Sequence, residues 1–368
     1  MAWWSAWCGP SVRATRRNEY GANPMSPAAA GATAPSARRQ GSASAWSLVL
    51  RCACWLGVVC MAIVALASII GLQWPTPILF FTALLPVLMA PSWVVGGLAL
   101  WRRWWVLATL AIALIIAHLV AVIPGATADD EPQWVAGSQS ISVLQANIQF
   151  DNPSPAAAAR RILAEDADVV VINEYIGQFA QIFDEVGLFA EYPNRFVTID
   201  GAGFQEMIMT RLPSDPASFI NLYAQSVPEL RLTVDGQPIR IFAAHYVAPK
   251  RGRWLKYWNA ELSATGDLAT SYDEPVLVVG DFNASAWHRP YREMLQKGFT
   301  DAHDALGESL SMSWTPQQYP FNWPDGLIRL DHAVFTDGLW VTELRNIDVP
   351  GSDHQGMRFR LQVRPGTT

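Results

Sequence analysis

Acidic, amide and imidazole side chains stand at the ends of short apolar runs in the later part of this sequence. The clearest case is Gly-Asp-Phe-Asn, where Gly280 permits a tight turn and Asp281 and Asn283 follow a run of valines. Comparable runs precede further polar residues, namely Asn147, Glu174, His245, Asp331, Asp353 and His354. Side chains at such positions leave the core and can converge on one site, where they could hold a cation. Taken singly, each is more often a turn or helix cap, or a structural histidine.

The elements that must position these residues are short strands that alternate with helices. Strands are predicted at residues 141–145, 169–173, 239–244, 275–279 and 332–336, from their β-branched apolar composition. Ser154 is expected to cap a helix that begins with Pro155 and ends at Ala164, and a second helix is expected over residues 254–269. Interleaved strands and helices favour an α/β domain over an all-β one.

Six short segments resemble, in the same order, the motifs of the endonuclease/exonuclease/phosphatase superfamily, which includes bacterial sphingomyelinases and inositol polyphosphate 5-phosphatases. They span about residues 141–360 and read Gln-Ala-Asn-Ile, Ile-Asn-Glu-Tyr, Ala-Ala-His-Tyr, Gly-Asp-Phe-Asn-Ala, Arg-Leu-Asp-His-Ala-Val-Phe and Ser-Asp-His. Six matches in order are far more specific than any one of them. The resemblance implies a DNase I-like four-layer α/β sandwich, with two mixed β-sheets flanked by helices, and a hydrolase of phosphoester bonds.

The resemblance also implies a divalent-metal site. Asn147 and Glu174 resemble the pair that binds Mg²⁺, and Asp353 resembles a further ligand of the metal or of water. Mg²⁺ is a hard cation that takes oxygen ligands and keeps several waters, which suits these residue types. Mn²⁺ and Ca²⁺ are alternatives.

The remaining motif residues take catalytic roles by the same resemblance. Asp281 is expected to orient or deprotonate the attacking water, and Asn283 to hold the phosphate. His354 resembles the cationic imidazole at the scissile phosphate, Asp331 the carboxylate that orients it, and His245 a histidine that stabilises the phosphoryl oxygens. The implied reaction is in-line attack of water, with metal and histidine neutralising the developing charge.

Two positions depart from the family pattern. The metal-binding Glu usually follows Gln and here follows Asn173, which keeps an amide neighbour. The aromatic residue common after the orienting Asp is His332, which we interpret as a strand residue. Neither change removes a catalytic group, so we expect an active enzyme.

The substrate is the least determined feature. Lys250, Arg251 and Arg253 follow His245 and could grip an anionic group, although a solvated helix face explains them equally well. Aromatic residues lie among these charges, a combination that also suits a membrane interface: Trp254, Tyr257 and Trp258. Other tryptophans could line the rim of a cleft or belong to the core: Trp287, Trp314 and Trp323.

The N-terminal part has a different composition. Residues 1–45 are rich in Ala, Ser, Gly, Pro and Arg and are expected to form a disordered basic tail, with Met25 as an alternative start. Apolar stretches at 52–72, 77–101 and 104–122 predict about three transmembrane helices within residues 46–123. Two spans with a re-entrant segment are the alternative, and a cleaved signal peptide is a less favoured explanation of the first stretch. Residues 124–140 are expected to be a linker to a domain at 141–368.

Basic residues near the ends of the spans predict the orientation. Arg38, Arg39 and Arg51 precede the first span, and Arg102 and Arg103 separate the second from the third. We therefore expect an integral cell-membrane protein with a cytoplasmic N-terminus and an extracytoplasmic catalytic domain.

Charge and cysteine content limit the function classes. From Ser138 onward there are 18 Lys and Arg against 28 Asp and Glu, a net charge of −10, which disfavours general nucleic-acid binding. All four cysteines precede this region, so neither a disulfide framework nor a zinc-thiolate site is available there. A phosphoesterase of undetermined substrate is favoured over an extracytoplasmic nuclease for DNA or RNA, and over a catalytically silent binding or scaffold domain. No obligate protein partner is indicated; the expected partners are the phosphoester substrate and the lipid bilayer.

Overall fold

The computed structural model describes residues 38–198, 205–223, 225–250, 252–315 and 326–366. The chain divides into two units, Met1–Val49 and Leu50–Thr368. In the first unit, the described part is the beginning of a long helix. The second unit contains the apolar helices that follow and both β-sheets.

Five helices form the apolar N-terminal region. They are α1 (Arg38–Ile70), α2 (Pro77–Ala83), α3 (Leu85–Met89), α4 (Pro91–Trp101) and α5 (Trp105–Val122). Two segments, Ala45–Ile70 and Trp105–Val122, are long and apolar enough to cross a membrane. The second predicted stretch is broken, because α2 lies at an angle of 79° to the segment Leu85–Trp101. The described helices therefore provide two candidate spans, or three if this bent pair forms a single span. The break keeps the re-entrant alternative open.

The beginning of α1 lies earlier than the boundary expected at Trp46. The helix starts at Arg38, within the stretch predicted to be a disordered tail, and residues 1–37 of that tail lie outside the described part of the chain. The guanidinium groups of Arg51 and Arg102 lie 5.9 and 5.6 Å from the ring centroid of Trp104. The basic residues that flank two different apolar segments therefore meet at one end of the helices.

In the described residues of the rest of the second unit, the strands form two six-stranded sheets. The strands are β1 (Gln139–Asn147), β2 (Val169–Tyr175), β3 (Asn194–Val197), β4 (Gln205–Thr210), β5 (Ser218–Leu222), β6 (Gln225–Val234), β7 (Gln237–His245), β8 (Val276–Asp281), β9 (Thr300–Asp301), β10 (Asp331–Phe335), β11 (Leu339–Asp348) and β12 (Gln355–Val363). The first sheet has the order β11-β12-β1-β2-β4-β3, and the second has the order β5-β6-β7-β8-β10-β9. β1 pairs with β2, and β7 with β8, in parallel, whereas the other pairs are antiparallel, so both sheets are mixed.

Helices cover the outer faces of the sheets. The first sheet is covered by α6 (Pro155–Ala164), α7 (Ala180–Glu185) and α8 (Leu188–Glu191), and the second by α9 (Arg253–Leu268) and α10 (Arg289–Leu295). The short helix α11 (Ala302–Ala305) instead contributes Ala302 and Ala305 to the core between the sheets. Between the sheets, Val143 and Val171 of the first pack in one buried cluster with Ile241 and Val279 of the second. The strands of both parallel pairs are buried on both faces, which explains their continuous apolar sequences. The expectation of two mixed sheets flanked by helices is confirmed.

The predicted strands and helices all lie within or closely overlap observed ones, with one difference in detail. Ser154 occupies the N-cap position of α6, but its side chain makes no capping hydrogen bond. Asn152 Oδ1 instead accepts a hydrogen bond from the Ser154 backbone N–H at 2.6 Å. Between α5 and β1, residues 123–138 contain two short 3₁₀ helices, Pro124–Ala126 and Gln133–Val135.

Candidate active site

The ends of the two parallel strand pairs bring the predicted site residues together. Asn147, the last residue of β1, is in register with Asn173 of β2 in the first sheet. In the second sheet, Asp281 at the end of β8 lies between His245 of β7 and Asp331 of β10. Because parallel strands end at the same edge of a sheet, these side chains lie at one edge of the sandwich.

Glycine is needed at position 280 because the backbones of β7 and β8 approach each other closely there. The tight turn expected at Gly280 from the sequence is not the reason. Gly280 lies inside β8, and a Cβ atom there would be 1.8 Å from the carbonyl oxygen of Ala244 in β7. The turn comes later, at Asn283, whose φ is 47° and whose backbone N–H donates to Asp281 Oδ1 at 2.8 Å. Glycine thus lets β7 and β8 run close enough to place His245 beside Asp281.

An irregularity in β2 directs Glu174 into the site. The register of β2 against β4 shifts between Ile172 and Tyr175, and Glu174 there has a φ of 58°. Positive φ at a non-glycine residue is uncommon and clusters at functional sites. Asn147 Nδ2 donates to Glu174 Oε1 at 3.1 Å and to Asp281 Oδ2 at 3.1 Å, and so holds the two carboxylates together.

The site contains donor atoms that fit a divalent cation. The side-chain ligand atoms of Glu174, His245 and Asp281 lie within 4.8 Å of one another, and so do those of Asp281, Asp331 and His354. Carboxylate oxygens are the preferred ligands of hard cations such as Mg²⁺, and imidazole suits softer divalent metals. Asn147 presents its amide nitrogen to the carboxylates, since its Oδ1 accepts from the Gln149 backbone N–H at 3.0 Å.

His354 and Asp331 form a buried carboxylate–imidazole pair. Asp331 Oδ2 lies 2.7 Å from His354 Nδ1. Gln145 Nε2 donates to the other oxygen of Asp331 at 2.8 Å, and the Ser313 hydroxyl donates to Oδ2 at 2.7 Å. Burial lowers the pKa of His354, but the negative charges of Asp331 and Asp281 outweigh burial and raise it to about 10. The imidazole is therefore a cation at neutral pH.

A second pair of this kind was not found from the sequence. Glu206, in β4, places Oε1 3.0 Å from His245 Nδ1. The Thr198 hydroxyl donates to Glu206 Oε2 at 3.2 Å. Burial lowers the pKa of His245, but the hydrogen bond to Glu206 and the charges of Asp281, Glu206 and Glu174 raise it to about 9. The only sequence signal was an acidic residue at the beginning of the apolar run Met-Ile-Met.

The two imidazoles lie on either side of Asp281. Its Oδ2 is 3.8 Å from His245 Nε2 and 3.7 Å from His354 Nε2. Burial raises the pKa of Asp281, although both imidazolium charges act in the opposite direction. The centre of the site is therefore a desolvated carboxylate between two cations.

The other predicted site residues take peripheral positions. Asn283 Nδ2 donates to the Tyr246 carbonyl oxygen at 2.8 Å. Asp353 Oδ2 accepts from Trp314 Nε1 at 3.1 Å. Lys250 and Arg253 are exposed on the loop after β7 and at the beginning of α9. Arg251 lies outside the described residues.

The residues at which the chain departs from the family pattern are both buried. Asn173 accepts from Gln145 Nε2 at 3.0 Å and donates to the Ala244 carbonyl at 2.9 Å, so its amide links the two sheets. His332 donates from Nε2 to the Ala284 carbonyl at 2.9 Å, and its Nδ1 lies 2.8 Å from Asp301 Oδ2. The interpretation of His332 as a strand residue is confirmed.

The tryptophans considered for the cleft rim separate into different environments. Trp287 is buried in a cluster with the apolar N-terminal helices. Trp314 packs beside His354, with ring centroids 6.4 Å apart. Trp323 lies outside the described residues, and Trp258, on the inward face of α9, is fully buried.

Comparison with known proteins identifies the family. The sequence profile of the Endonuclease/Exonuclease/phosphatase family matches residues 144–354, more than half of the chain. A search of curated proteins finds no match.

Several solved structures are similar to this chain at low sequence identity. TDP2 from Caenorhabditis elegans has a TM-score of 0.50 and 15% identity, over 75% of this chain and 92% of its own. D. rerio TDP2 complexed with single-strand DNA product has a TM-score of 0.48 and 17% identity, over 61% of this chain and 100% of its own. A family protein from Leptotrichia buccalis has a TM-score of 0.47 and 16% identity, over 60% of this chain and 99% of its own. The chain belongs to the endonuclease/exonuclease/phosphatase family and is a hydrolase that acts on phosphoester bonds.

Proposed function

We propose that this chain is a membrane-anchored, divalent-metal-dependent phosphoesterase that hydrolyses a phosphodiester or phosphomonoester by in-line attack of water. The observation that carries the proposal is the convergence of carboxylates and imidazoles at one edge of the sandwich, namely Glu174, His245, Asp281, Asp331 and His354. Family membership supports the reaction class.

Glu174 and Asn147 form the metal-binding side of the proposed site. Glu174 offers a carboxylate whose side chain is 18% exposed, so it can be reached from solvent, and Asn147 fixes its distance from Asp281. Asp353 is the further candidate ligand of metal or water. Mg²⁺ is the proposed ion, with Mn²⁺ or Ca²⁺ as alternatives. When bound, the ion would polarise a phosphoryl oxygen and offset the charge that develops there.

His354 is proposed to contact the scissile phosphate. Its Nδ1 is held by Asp331, so Nε2 is the atom free to donate toward substrate, on the side of Asp281. A cation fixed at this place stabilises negative charge as it develops and needs no reorganisation during the reaction. Asp331 acts as a positioning residue for the imidazole.

Asp281 is proposed to orient or deprotonate the attacking water. Burial raises its pKa, which makes the carboxylate a stronger proton acceptor than an exposed one.

His245, held by Glu206 and cationic at neutral pH, is proposed to stabilise the phosphoryl oxygens. Asn283 is proposed to hold the phosphate from the turn after β8. Lys250, Arg251 and Arg253 are proposed substrate contacts at the adjoining loop.

The apolar helices are proposed to anchor the enzyme, with residues 46–123 in the membrane, 124–140 as a linker and 141–368 as the catalytic domain. Residues 1–45 would remain cytoplasmic. The meeting of Arg51 and Arg102 at Trp104 supports this orientation, because basic residues that flank two segments mark one end of the helices as cytoplasmic. The catalytic domain would then be extracytoplasmic.

The proposal is tested with the full-length chain in detergent micelles and millimolar Mg²⁺. Bis-p-nitrophenyl phosphate, a soluble diester, and plasmid DNA are offered separately, with EDTA as a control. Asp281→Ala should abolish hydrolysis, whereas Asp184→Ala, which removes an exposed carboxylate of α7, should leave it unchanged. Equal rates in wild type and Asp281→Ala would refute the site. Rapid EDTA-sensitive cleavage of DNA would favour the nuclease alternative despite the acidic charge, and no turnover would favour the scaffold alternative.

A further inference from the structure

The loop that carries Asp281 and Asn283 leads directly into a contact with the apolar helices. Trp287 is buried among side chains of α1, α3 and α5, and its carbonyl accepts a hydrogen bond from the Ser68 hydroxyl at 2.7 Å. His288 Nδ1 accepts from a backbone N–H, so its Nε2 donates to the Leu79 carbonyl, at 3.0 Å. The residues after the catalytic turn are thus bonded to both α1 and α2.

Helices α9 and α10 add polar contacts to the end of α1. Arg292 in α10 donates to the Ser68 carbonyl at 2.7 Å. The amide groups of Gln73 and Asn259 form two reciprocal hydrogen bonds, each 2.8 Å long. Gln73 lies just after α1, in the connection to α2, so α9 meets the helices where the first apolar segment ends.

A second wall of the active site also touches the apolar helices. Trp314 pairs with His354 through a β-bridge and donates to Asp353 from its indole N–H. Its other neighbours form a cluster with α2 and α3: Phe80, Ala83, Leu84, Leu88 and Ile328. Trp314 therefore lies between the catalytic histidine and the apolar helices.

The path of the chain between α5 and β1 agrees with these contacts. Gly125, just after α5, accepts from the Ser309 backbone N–H at 2.9 Å. The hydroxyl of Ser138 lies 3.1 Å from Gln362 Oε1, so the chain has by then reached the end of the first sheet that is opposite the active site. β1 then returns to Asn147 at the active site. The apolar helices and the catalytic residues are therefore at the same end of the sandwich.

Exposed aromatic residues lie at this same end. Trp254, in the first turn of α9, is 40% exposed, and Tyr223, just after β5, is 66% exposed. Both rings pack against Tyr257, with centroids 6.0 and 5.5 Å away, and the Arg253 guanidinium lies 4.9 Å above Trp254. Aromatic rings combined with cationic side chains are typical of protein surfaces at the level of lipid head groups.

From these contacts we infer that the active-site edge of the sandwich faces the bilayer surface and that the substrate is a phosphoester carried by a membrane lipid. The inference rests on the proposed phosphoesterase function. The loop at Trp287 is hydrogen-bonded to α1 and α2, and the segment at Trp314 packs against α2 and α3. A lipid head group can reach such a site without leaving the bilayer.

The test compares two diesters that differ only in their anchor, hexadecyl p-nitrophenyl phosphate and methyl p-nitrophenyl phosphate. Full-length protein in phosphatidylcholine nanodiscs is used with Mg²⁺. In both substrates, water forms the new bond to phosphorus and p-nitrophenolate leaves. We expect kcat/KM for the hexadecyl ester to exceed that for the methyl ester by about hundredfold, because the bilayer holds it close to the site. An equal or lower value for the hexadecyl ester would overturn the inference.

A double variant tests whether docking to the helices matters. Asn259→Ala combined with Arg292→Ala removes polar contacts with Gln73 and Ser68 without touching the proposed catalytic groups. We expect about a tenfold loss with the hexadecyl ester and no change with the methyl ester. Lys297→Ala, which removes a contact to α9, is the control and should change neither rate. Loss of both rates in the double variant would contradict the inference, whereas failure of wild type with both esters would refute the proposed function itself.

Discussion

Glu206 Oε1 lies 3.0 Å from His245 Nδ1 in the first of two carboxylate–imidazole pairs at the site. In the second, Asp331 Oδ2 lies 2.7 Å from His354 Nδ1. The imidazoles of both pairs present Nε2 to the same oxygen of Asp281, at 3.8 and 3.7 Å. Each carboxylate fixes the orientation of its ring and favours the charged imidazole, so the central carboxylate faces two oriented cations.

Substitution of Glu206 should impair turnover although the residue is not placed to touch substrate. Glu206→Gln keeps the size of the side chain but removes the negative charge beside His245. We expect kcat on bis-p-nitrophenyl phosphate to fall about 10- to 100-fold, with little change in KM. Thr198→Val removes only the hydroxyl that donates to Glu206 and should reduce kcat less. Wild-type kcat in Glu206→Gln would show that His245 needs no carboxylate.

Loss of the Asp331 charge should have a larger effect. Asp331→Asn would still fit between Gln145 and Ser313 but would no longer favour the imidazolium form of His354. By analogy with other acid–histidine pairs, kcat should fall roughly 10³- to 10⁴-fold. Far-ultraviolet circular dichroism would check that the fold is retained. Ser313→Ala, which removes one hydrogen bond to Asp331, provides the graded comparison; a larger loss there than in Asp331→Asn would contradict the assignment.

Gly280→Ala should destabilise the protein strongly. The added Cβ would lie 1.8 Å from the Ala244 carbonyl oxygen, and backbone atoms on both strands would have to move. We expect a loss of at least about 3 kcal/mol in the free energy of unfolding, or failure to accumulate folded protein. Gly177→Ala is the matched control, because a Cβ there meets no heavy atom within 4 Å. Similar melting temperatures for the two variants would refute the close-packing argument.

The buried carboxyl of Glu261 should make stability depend on pH. Its Oε2 accepts from the Val247 backbone N–H at 3.0 Å, and its Oε1 makes no hydrogen bond among the described residues. Burial raises its pKa to about 7, although the charge of His245 acts in the opposite direction and that of Glu206 in the same one. The folded state therefore holds the proton more tightly than the unfolded state, in which the ordinary pKa is 4.5.

It follows that the contribution of Glu261 is most favourable below pH 4.5 and is lost as the pH rises through about 7. The loss should be on the order of 3 kcal/mol. Glu261→Gln cannot ionise, so its melting temperature relative to wild type should rise between pH 5 and pH 8. Glu185→Gln, at an exposed position in α7, should follow wild type. A constant difference between Glu261→Gln and wild type across this range would contradict the prediction.

Much of the site could be predicted from the sequence because its residues follow strands with clear apolar patterns. Asn147, His245 and Asp281 each end such a strand, and parallel neighbours must end at a common edge. Their short motifs also resemble those of a known family, which the match over residues 144–354 confirmed. The assigned roles of these residues remain predictions, as do the metal and the orientation in the membrane.

The positions of several strands along the chain, the residue types at their ends and the presence of long apolar stretches are local properties, and the sequence by itself determined them. The tertiary structure alone decided that Glu206 supports His245, that Gly280 is needed for a close strand contact, and that Trp287 and Trp314 connect the active site to the apolar helices. The physical reason is that each of these depends on which segments, distant along the chain, meet in the folded protein. A burial pattern along one strand shows which face is inside, but not which side chain of another strand lies opposite.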